Sequence, residues 1–222
     1  MVIAVSTTKG GSGKTTVTIN LAAAFAKKGY QVCIIDADTG QFSALKWAKY
    51  REDEQAHISV FQVAQDKLNR EAKALSERFD IVLIDGRPTL SEVGDRIVMA
   101  SDVVIVPVMP SVFDLEAFQD YVPRFQQVKE LKSEIGGQVK AFVLLNALVV
   151  NTTIGQEIEE AVREITTHEE DIYLLETKLM RRVAYGNSPT NGLGVVEETD
   201  KKARTEVMNL VEELEKRVAE SK

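Results

Sequence analysis

Short runs of apolar residues alternate along the chain with longer segments in which apolar residues recur at helical spacing. This alternation is typical of parallel strands covered by helices on both faces. The predicted strands are Val2–Ser6, Gln31–Asp36, Ile58–Gln62, Ile81–Asp85, Val103–Val108, Lys140–Asn146 and Ile172–Leu175. The predicted helices are Lys14–Lys28, Phe42–Arg51, Asp66–Glu77, Glu92–Ala100, Asp114–Ile135, Thr153–Thr166 and Lys201–Ala219. We therefore expect an α/β fold with a mostly parallel, twisted sheet of seven or eight strands.

Length and composition favour a single domain over residues 1–222. The chain has 222 residues, 44% of them hydrophobic, which is enough to bury a sizeable core. The stretch Tyr185–Gly194 is rich in Gly, Asn and Ser and is predicted to be a loop. The single cysteine, Cys33, lies in an apolar run without a partner for a disulfide, and it is predicted to be a core residue.

Charge and hydropathy limit the location and the partners of the protein. Strand-like sequence begins at Val2, and no apolar run approaches the roughly 20 residues that a membrane span needs. These features predict a cytoplasmic protein. The net charge of −7 argues against a generally basic surface, so any contact with DNA must come from a local basic patch.

A glycine-rich segment separates the first predicted strand from the first predicted helix. In this setting glycines let successive backbone N–H groups point into one concavity, Lys14 can reach the β- and γ-phosphates, and the Thr15 hydroxyl is placed to bind Mg²⁺. The segment predicts a nucleoside triphosphate site. Its residues are Lys9, Gly10, Gly11, Ser12, Gly13, Lys14, Thr15 and Thr16.

Carboxylates follow two apolar strands at the edge where ligands bind in such folds. The second strand ends in Asp36-Ala37-Asp38, and the fourth ends in Asp85. Asp85 can hold Mg²⁺ directly or through a water, and Asp38 can orient the water that attacks the γ-phosphate. Taken alone, either aspartate equally fits a turn residue at a strand end.

The glycine loop departs from the usual phosphate-loop pattern, because Thr8 stands where that pattern has Gly and Lys9 opens the loop. In this form it resembles the ParA/MinD family of deviant Walker-type ATPases, closest to the short, ParF-like partition proteins without an N-terminal helix-turn-helix region. The resemblance extends from Met1 to about Leu214 and implies ATP and Mg²⁺ as ligands. It also implies that Lys9, Lys14 and Asp38 are catalytic and that Lys9 reaches the partner's nucleotide in a dimer. The alternative for Lys9 is a solvated surface lysine, since a lysine beside a glycine loop is common.

Further segments match the family's motifs. Gly86-Arg87-Pro88 matches a switch that senses the γ-phosphate, and Pro107–Asp114 matches a turn after the fifth strand, although a rigid connection capped by Asp114 explains it too. Asn146 matches a position that reads the adenine edge, or it is a turn residue at a strand end. The family continues its D-x-D motif with Pro-Gln, whereas this chain has Thr39-Gly40-Gln41, which leaves the shape of that loop open.

Basic residues concentrate between positions 178 and 204, a segment that contains six basic and three acidic residues. The local charge is +3, which leaves −10 for the remainder of the chain. Such a patch, doubled in a dimer, predicts sequence-independent and salt-dependent contacts with DNA phosphates. Ordinary solvated helix surfaces would explain it equally. The residues are Lys178, Arg181, Arg182, Lys201, Lys202 and Arg204.

The resemblance implies a partition or positioning ATPase associated with the nucleoid. An ATP-bound homodimer would bind non-specific DNA, and a cargo-bound adaptor, ParB-like or centromere-binding, would stimulate hydrolysis and release it. The cargo could be a plasmid or a protein compartment. A membrane-associated MinD-like division regulator is disfavoured, because the apolar stripe from Val207 to Val218 lies among glutamates and predicts a core-facing helix. The remaining alternative is a metabolic ATP-dependent ligase, in which Lys9 would contact the substrate.

Overall fold

The computed structural model describes residues 1–38, 43–52, 55–87 and 92–220, and within them a single parallel sheet forms the centre of the molecule. Its strands are β1 (Val2–Val5), β2 (Val32–Asp36), β3 (Ser59–Gln62), β4 (Ile81–Asp85), β5 (Val103–Val108), β6 (Lys140–Leu145) and β7 (Ile172–Leu174). Their order is β3-β2-β4-β1-β5-β6-β7, and every pairing is parallel. The predicted fold class is confirmed, and each predicted strand ends within one residue of its observed bounds.

Helices connect these strands at the predicted places. They are α1 (Lys14–Lys27), α2 (Ser43–Lys49), α3 (Leu68–Ser76), α4 (Glu92–Ala100), α5 (Val112–Glu134), α6 (Thr153–Thr167), α7 (Val183–Asn187) and α8 (Lys201–Ala219). The sequence did not predict α7. The predicted first residue of the second helix, Phe42, lies outside the described residues.

The sheet divides the apolar core into two layers, since successive side chains of a strand point to opposite faces. Ala4 and Cys33 face the layer formed with α3, α4, α5 and α6. Ile3 and Ile34 face the layer formed with α1, α2 and α8. Cys33 is fully buried, as predicted, and burial raises the pKa of its thiol to about 12.

Helix α8 packs against the second of these layers. Its apolar stripe, Val207, Leu210, Val211 and Leu214, is buried in the core. The predicted core-facing helix is therefore confirmed. In the ranges described above, no helix combines the length and the apolar content that crossing a bilayer requires.

The stretch Tyr185–Gly194 is more ordered than the sequence predicts. The end of α7 is followed by 3₁₀ turns at Ser188–Asn191 and Val195–Glu197. Trp47 Nε1 donates a hydrogen bond to Leu193 O at 3.1 Å, and Arg51 Nη1 donates one to Gly192 O at 2.8 Å. The loop prediction is wrong here because these bonds come from α2 and the residues after it, far away in sequence.

We expect Gly192→Ala to destabilise the protein by about 2–4 kcal/mol. Gly192 has φ +68°, and an added Cβ would lie 2.3 Å from the carbonyl carbon of Tyr50. Urea denaturation measures the loss. The matched control is Gly186→Ala, where an added Cβ meets no heavy atom within 4 Å. Equal losses in the two variants would contradict the close approach of Gly192 to Tyr50.

Candidate functional site

The loop between β1 and α1 lies at the carboxyl edge of the sheet, where β1 is flanked by β4 and β5. A cavity of about 320 Å³ opens beside it. The cavity collects residues from the ends of β1, β2 and β4, as predicted for parallel strands whose ends share one edge. Its lining is Gly10, Gly11, Gly13, Lys14, Thr15, Thr16, Asp38 and Gly86.

Two loop glycines adopt a backbone conformation that other residues rarely take. Gly11 has φ +77° and Gly13 has φ +88°. An added Cβ on Gly13 would lie 2.5 Å from Asn146 Nδ2, so the loop also needs glycine for close approach. Asn146 Nδ2 donates a hydrogen bond to Ser12 O at 2.8 Å. Asn146 thus supports the loop directly, and its contact with adenine stays a prediction.

Lys14 is the first residue of α1, and its side chain turns back into the preceding glycine loop. Its ammonium group donates a hydrogen bond to Lys9 O at 2.7 Å, and its side chain is mostly buried. Burial lowers the pKa of Lys14 to about 8, while the carboxylates of Asp85, Asp38 and Asp114 raise it. The amine is therefore mainly protonated at neutral pH and can neutralise an anion bound in the cavity.

Thr15 and Asp85 bring two side-chain oxygens together beside the cavity. Thr15 Oγ1 donates a hydrogen bond to Asp85 Oδ2 at 2.7 Å, and Thr18 Oγ1 lies 3.4 Å from Asp85 Oδ1. Burial raises the pKa of Asp85 to about 7, against the hydrogen bond from Thr15. A hydroxyl and a carboxylate suit Mg²⁺, which completes its shell with phosphate oxygens and water. Among the described residues, no group of three or more His, Cys, Asp and Glu could hold a metal by itself.

Asp38 faces the same cavity from the end of β2. Its backbone N–H donates a hydrogen bond to Asp36 Oδ1 at 3.2 Å. Asp38 thus lines the cavity, and its contact with the reacting water stays a prediction. The predicted switch residues Thr39, Gly40 and Pro88 lie outside the described residues.

Lys9 is bonded within its own chain. Its ammonium group forms an ion pair with Asp114, a buried carboxylate near the start of α5, and lies 5.8 Å from the centre of the Phe113 ring. The neighbouring Thr8 hydroxyl donates a hydrogen bond to Ala117 O at 3.0 Å. Lys9 is thus not a freely solvated surface lysine, and its contact with a partner's nucleotide stays a prediction.

Two further cavities adjoin the loop. One of about 230 Å³ includes Asn146, Met180 and Tyr185, and another of about 460 Å³ includes Lys9 and Asp114. Arg181 lines both of them, so it lies on the loop side of the molecule. Sequence reasoning missed Met180 and Tyr185, because only the return of the chain after β7 brings them beside the loop.

The predicted DNA-contacting residues have different surroundings. Lys178 pairs with Glu159, Arg182 pairs with Glu206, and an Arg204 nitrogen donates to Glu198 O. Lys201 and Lys202 are exposed in the first turn of α8, whereas Arg181 lines the cavities beside the loop. The six residues therefore differ in their partners: three are bonded within the chain, Arg181 lines cavities, and Lys201 and Lys202 are exposed.

Comparisons with known proteins support this reading of the fold. Residues 3–196 match the family model described as the CobQ/CobB/MinD/ParA nucleotide binding domain. The chain is 26% identical over 195 residues to maintenance of carboxysome distribution protein A from Halothiobacillus neapolitanus, covering 87% of this chain and 85% of that protein. The predicted family resemblance is confirmed.

Two solved structures show the same fold. Apo McdA from Cyanothece has a TM-score of 0.79 at 15% identity, covering 96% of this chain and 98% of that chain. The septum site-determining protein MinD from Pyrococcus horikoshii, complexed with Mg-ADP, has a TM-score of 0.69 at 18% identity, covering 98% and 96%. The predicted phosphate-loop fold is confirmed.

Replacing Asp85 by Asn should stabilise the nucleotide-free protein at pH 8. Because burial raises the pKa of Asp85 from 3.8 to about 7 in the folded state, its favourable contribution is complete below pH 3.8 and is lost as the pH rises to 7. The variant should gain at most about 4 kcal/mol at pH 8, and the gain should vanish near pH 4. Urea denaturation in EDTA across this range measures it. The exposed Asp66→Asn is the control, and a difference independent of pH would contradict the assignment.

Proposed function

This chain belongs to the CobQ/CobB/MinD/ParA nucleotide-binding family, and from that premise we propose that it is a partition or positioning ATPase. It dimerises on ATP, binds DNA without sequence preference and leaves the DNA when a cargo-bound adaptor stimulates hydrolysis. One observation carries the proposal: Lys14, Thr15 and Asp38 line one cavity, and Asp85 is hydrogen-bonded to Thr15 there. A cation, a magnesium site and a carboxylate for water are the groups that phosphoryl transfer needs.

Each of these residues has a distinct task in the proposed reaction. The loop N–H groups and Lys14 hold the β- and γ-phosphates of ATP, while Thr15 and Asp85 hold Mg²⁺. When bound, Mg²⁺ neutralises charge on the phosphate oxygens. Asp38 orients the attacking water and accepts its hydrogen bond. Hydrolysis in this arrangement is slow until a partner improves it, so that it acts as a timer for release.

Exposed apolar side chains support dimerisation, and one of them, Phe113, lies beside Lys9. Val112, Phe113 and Val150 are more than half exposed, and so is Val183. Large exposed apolar side chains that cluster mark interaction surfaces. In the proposed dimer, a second copy covers Phe113 and brings its nucleotide close to Lys9. Lys9 would then exchange the carboxylate of Asp114 for the partner's phosphates.

Lys201 and Lys202 support the proposed contact with DNA. Both are exposed in the first turn of α8, where their ammonium groups can reach a phosphate backbone. Arg182 and Arg204 stabilise this part of the fold, because the side chain of Arg182 pairs with Glu206 and that of Arg204 donates to Glu198 O. The proposed DNA surface is thus centred on the start of α8. Binding of DNA there fits a cytoplasmic, nucleoid-associated protein, which the family resemblance implies.

The cargo is proposed from the relatives. A related protein bears the name maintenance of carboxysome distribution protein A, which favours positioning of a protein compartment alongside plasmid partition. A ParB-like or centromere-binding adaptor would link the ATPase to its cargo. The burial of the apolar stripe of α8 in the core does not favour a membrane-bound regulator.

We expect Lys9→Ala to abolish dimerisation in ATP while ATP is still bound, because the variant lacks the cation that bridges to the partner's phosphates. Light scattering of the purified protein with ATP, with ADP and without nucleotide measures this. Lys46→Ala, which removes an exposed lysine of α2, is the control and should dimerise normally. A Lys9→Ala dimer that persists in ATP would contradict the proposed bridge.

We expect the double variant Lys201→Glu/Lys202→Glu to lose ATP-dependent binding to random duplex DNA at least about tenfold and to show a shallower salt dependence. Acidic residues in the first turn of a helix are compatible with α8. The control is Lys67→Glu/Lys73→Glu, which makes the same charge change directly before and within α3, on the opposite face of the sheet. Equal losses in both pairs would show a general charge effect. Binding by wild type that ignores nucleotide would contradict the switch.

A further inference from the structure

Asp36 is a buried carboxylate beside the proposed catalytic residue. It is the last residue of β2 and has 0% of its surface exposed. It does not line the cavity that contains Asp38. Burying a carboxylate is costly unless hydrogen bonds replace its hydration, so the partners of this group indicate what it does.

The Asp36 carboxylate bonds to backbone on both sides of the connection between β2 and α2. Its Oδ1 accepts a hydrogen bond from the Asp38 N–H at 3.2 Å, and its Oδ2 accepts one from the Leu45 N–H at 3.1 Å. Leu45 lies in the first turn of α2, where N–H groups lack partners within the helix. Helix capping normally uses a residue next to the helix, whereas here the cap comes from the preceding strand.

These bonds tie Asp38 to the rest of the site. Asp36 pairs with Asp85 across the parallel register of β2 and β4. The next residue, Ala37, donates its N–H to Asp85 O at 3.1 Å. The backbone that leads into Asp38 is therefore fixed against β4, the strand that ends in the proposed magnesium ligand Asp85.

Burial raises the pKa of Asp36, and the hydrogen bonds from Leu45 and Asp38 lower it. An ordinary local cap would stabilise α2 without burying a charge. Burying the Asp36 carboxylate therefore lowers stability in a way that a cap next to the helix would not. In return, its hydrogen bond fixes the backbone of Asp38, which a local cap of α2 would not do.

We propose that Asp36 is a positioning residue for ATP hydrolysis, which holds Asp38 toward the cavity through the Asp38 N–H and anchors the start of α2. The inference rests on the proposed function, because it assigns Asp36 a task only if Asp38 serves hydrolysis. Asp36 itself does not line the cavity and acts only through Asp38.

The test compares Asp36→Asn, Asp38→Asn and the double variant in the full-length chain. An Asn at position 36 keeps one oxygen and turns an NH₂ group toward one of the two N–H donors, so it breaks one arm of the tie at nearly constant volume. We expect single-turnover hydrolysis of Mg-ATP to slow at least about tenfold, with the concentration for half-maximal rate changed less than about twofold. Because Asp36 acts through Asp38, the double variant should hydrolyse ATP no more slowly than Asp38→Asn alone.

Stability is measured in parallel by urea denaturation. Asp36→Ser serves as a second variant in case Asp36→Asn does not fold, since a hydroxyl still accepts one hydrogen bond without a charge. A variant with lower stability and an unchanged rate per folded molecule would make Asp36 only a cap for α2 and overturn the inference. A further loss in the double variant, as large as in the wild-type background, would overturn it as well.

The outcomes separate this inference from the proposed function. Hydrolysis that survives Asp38→Asn would overturn the role of Asp38 and the role of Asp36 with it. Hydrolysis that is lost in Asp38→Asn but is complete in Asp36→Asn would overturn only the inference about Asp36.

Discussion

The parallel pairing of β2 with β4 is the constraint on which the candidate site depends. Its register places Asp36 beside Asp85, and β4 in turn pairs with β1 so that Val5 lies beside Asp85. Because all three strands run in the same direction, their carboxyl ends meet at one edge and their connecting loops share one cavity. A slip of one residue would turn the apolar side chains of a strand to the wrong core layer. Packing of the two core layers therefore fixes the register of the strands, and this register fixes the positions of the site residues.

The site concentrates buried charge that a protein selected for stability alone would avoid. Lys14, Asp85 and Asp36 are each partly deprived of their hydration. This burial lowers the pKa of Lys14 and raises the pKa of Asp85 and Asp36. Bound phosphates would add negative charge beside Lys14, and bound Mg²⁺ would add positive charge beside Asp85. Ligand binding and fold stability are therefore linked, because a ligand that binds only the folded state stabilises it.

Tertiary packing also gives different surroundings to basic residues that belong to one segment of the sequence. Arg182 and Arg204 are anchored to acceptors on the same chain, Arg181 lies beside the loop, and Lys201 and Lys202 remain at the start of α8. Sequence separation could not reveal this division, since Glu206 meets Arg182 only through the packing of α8. Charge in a linear window is therefore a weaker guide to a binding surface than charge on a known face.

The sequence by itself determined the strands, the principal helices and the phosphate loop, because apolar periodicity and glycine positions are local signals. It also located Lys14, Thr15 and Asp85, since each follows directly from a strand end or from the loop pattern. Only the tertiary structure decided what Asn146, Lys9 and Asp36 contact. Their partners come from other elements, and hydrogen bonds between distant segments leave no periodic trace in the sequence. The order around Gly192 escaped prediction for the same reason, as Arg51 and Trp47 impose it from outside the segment.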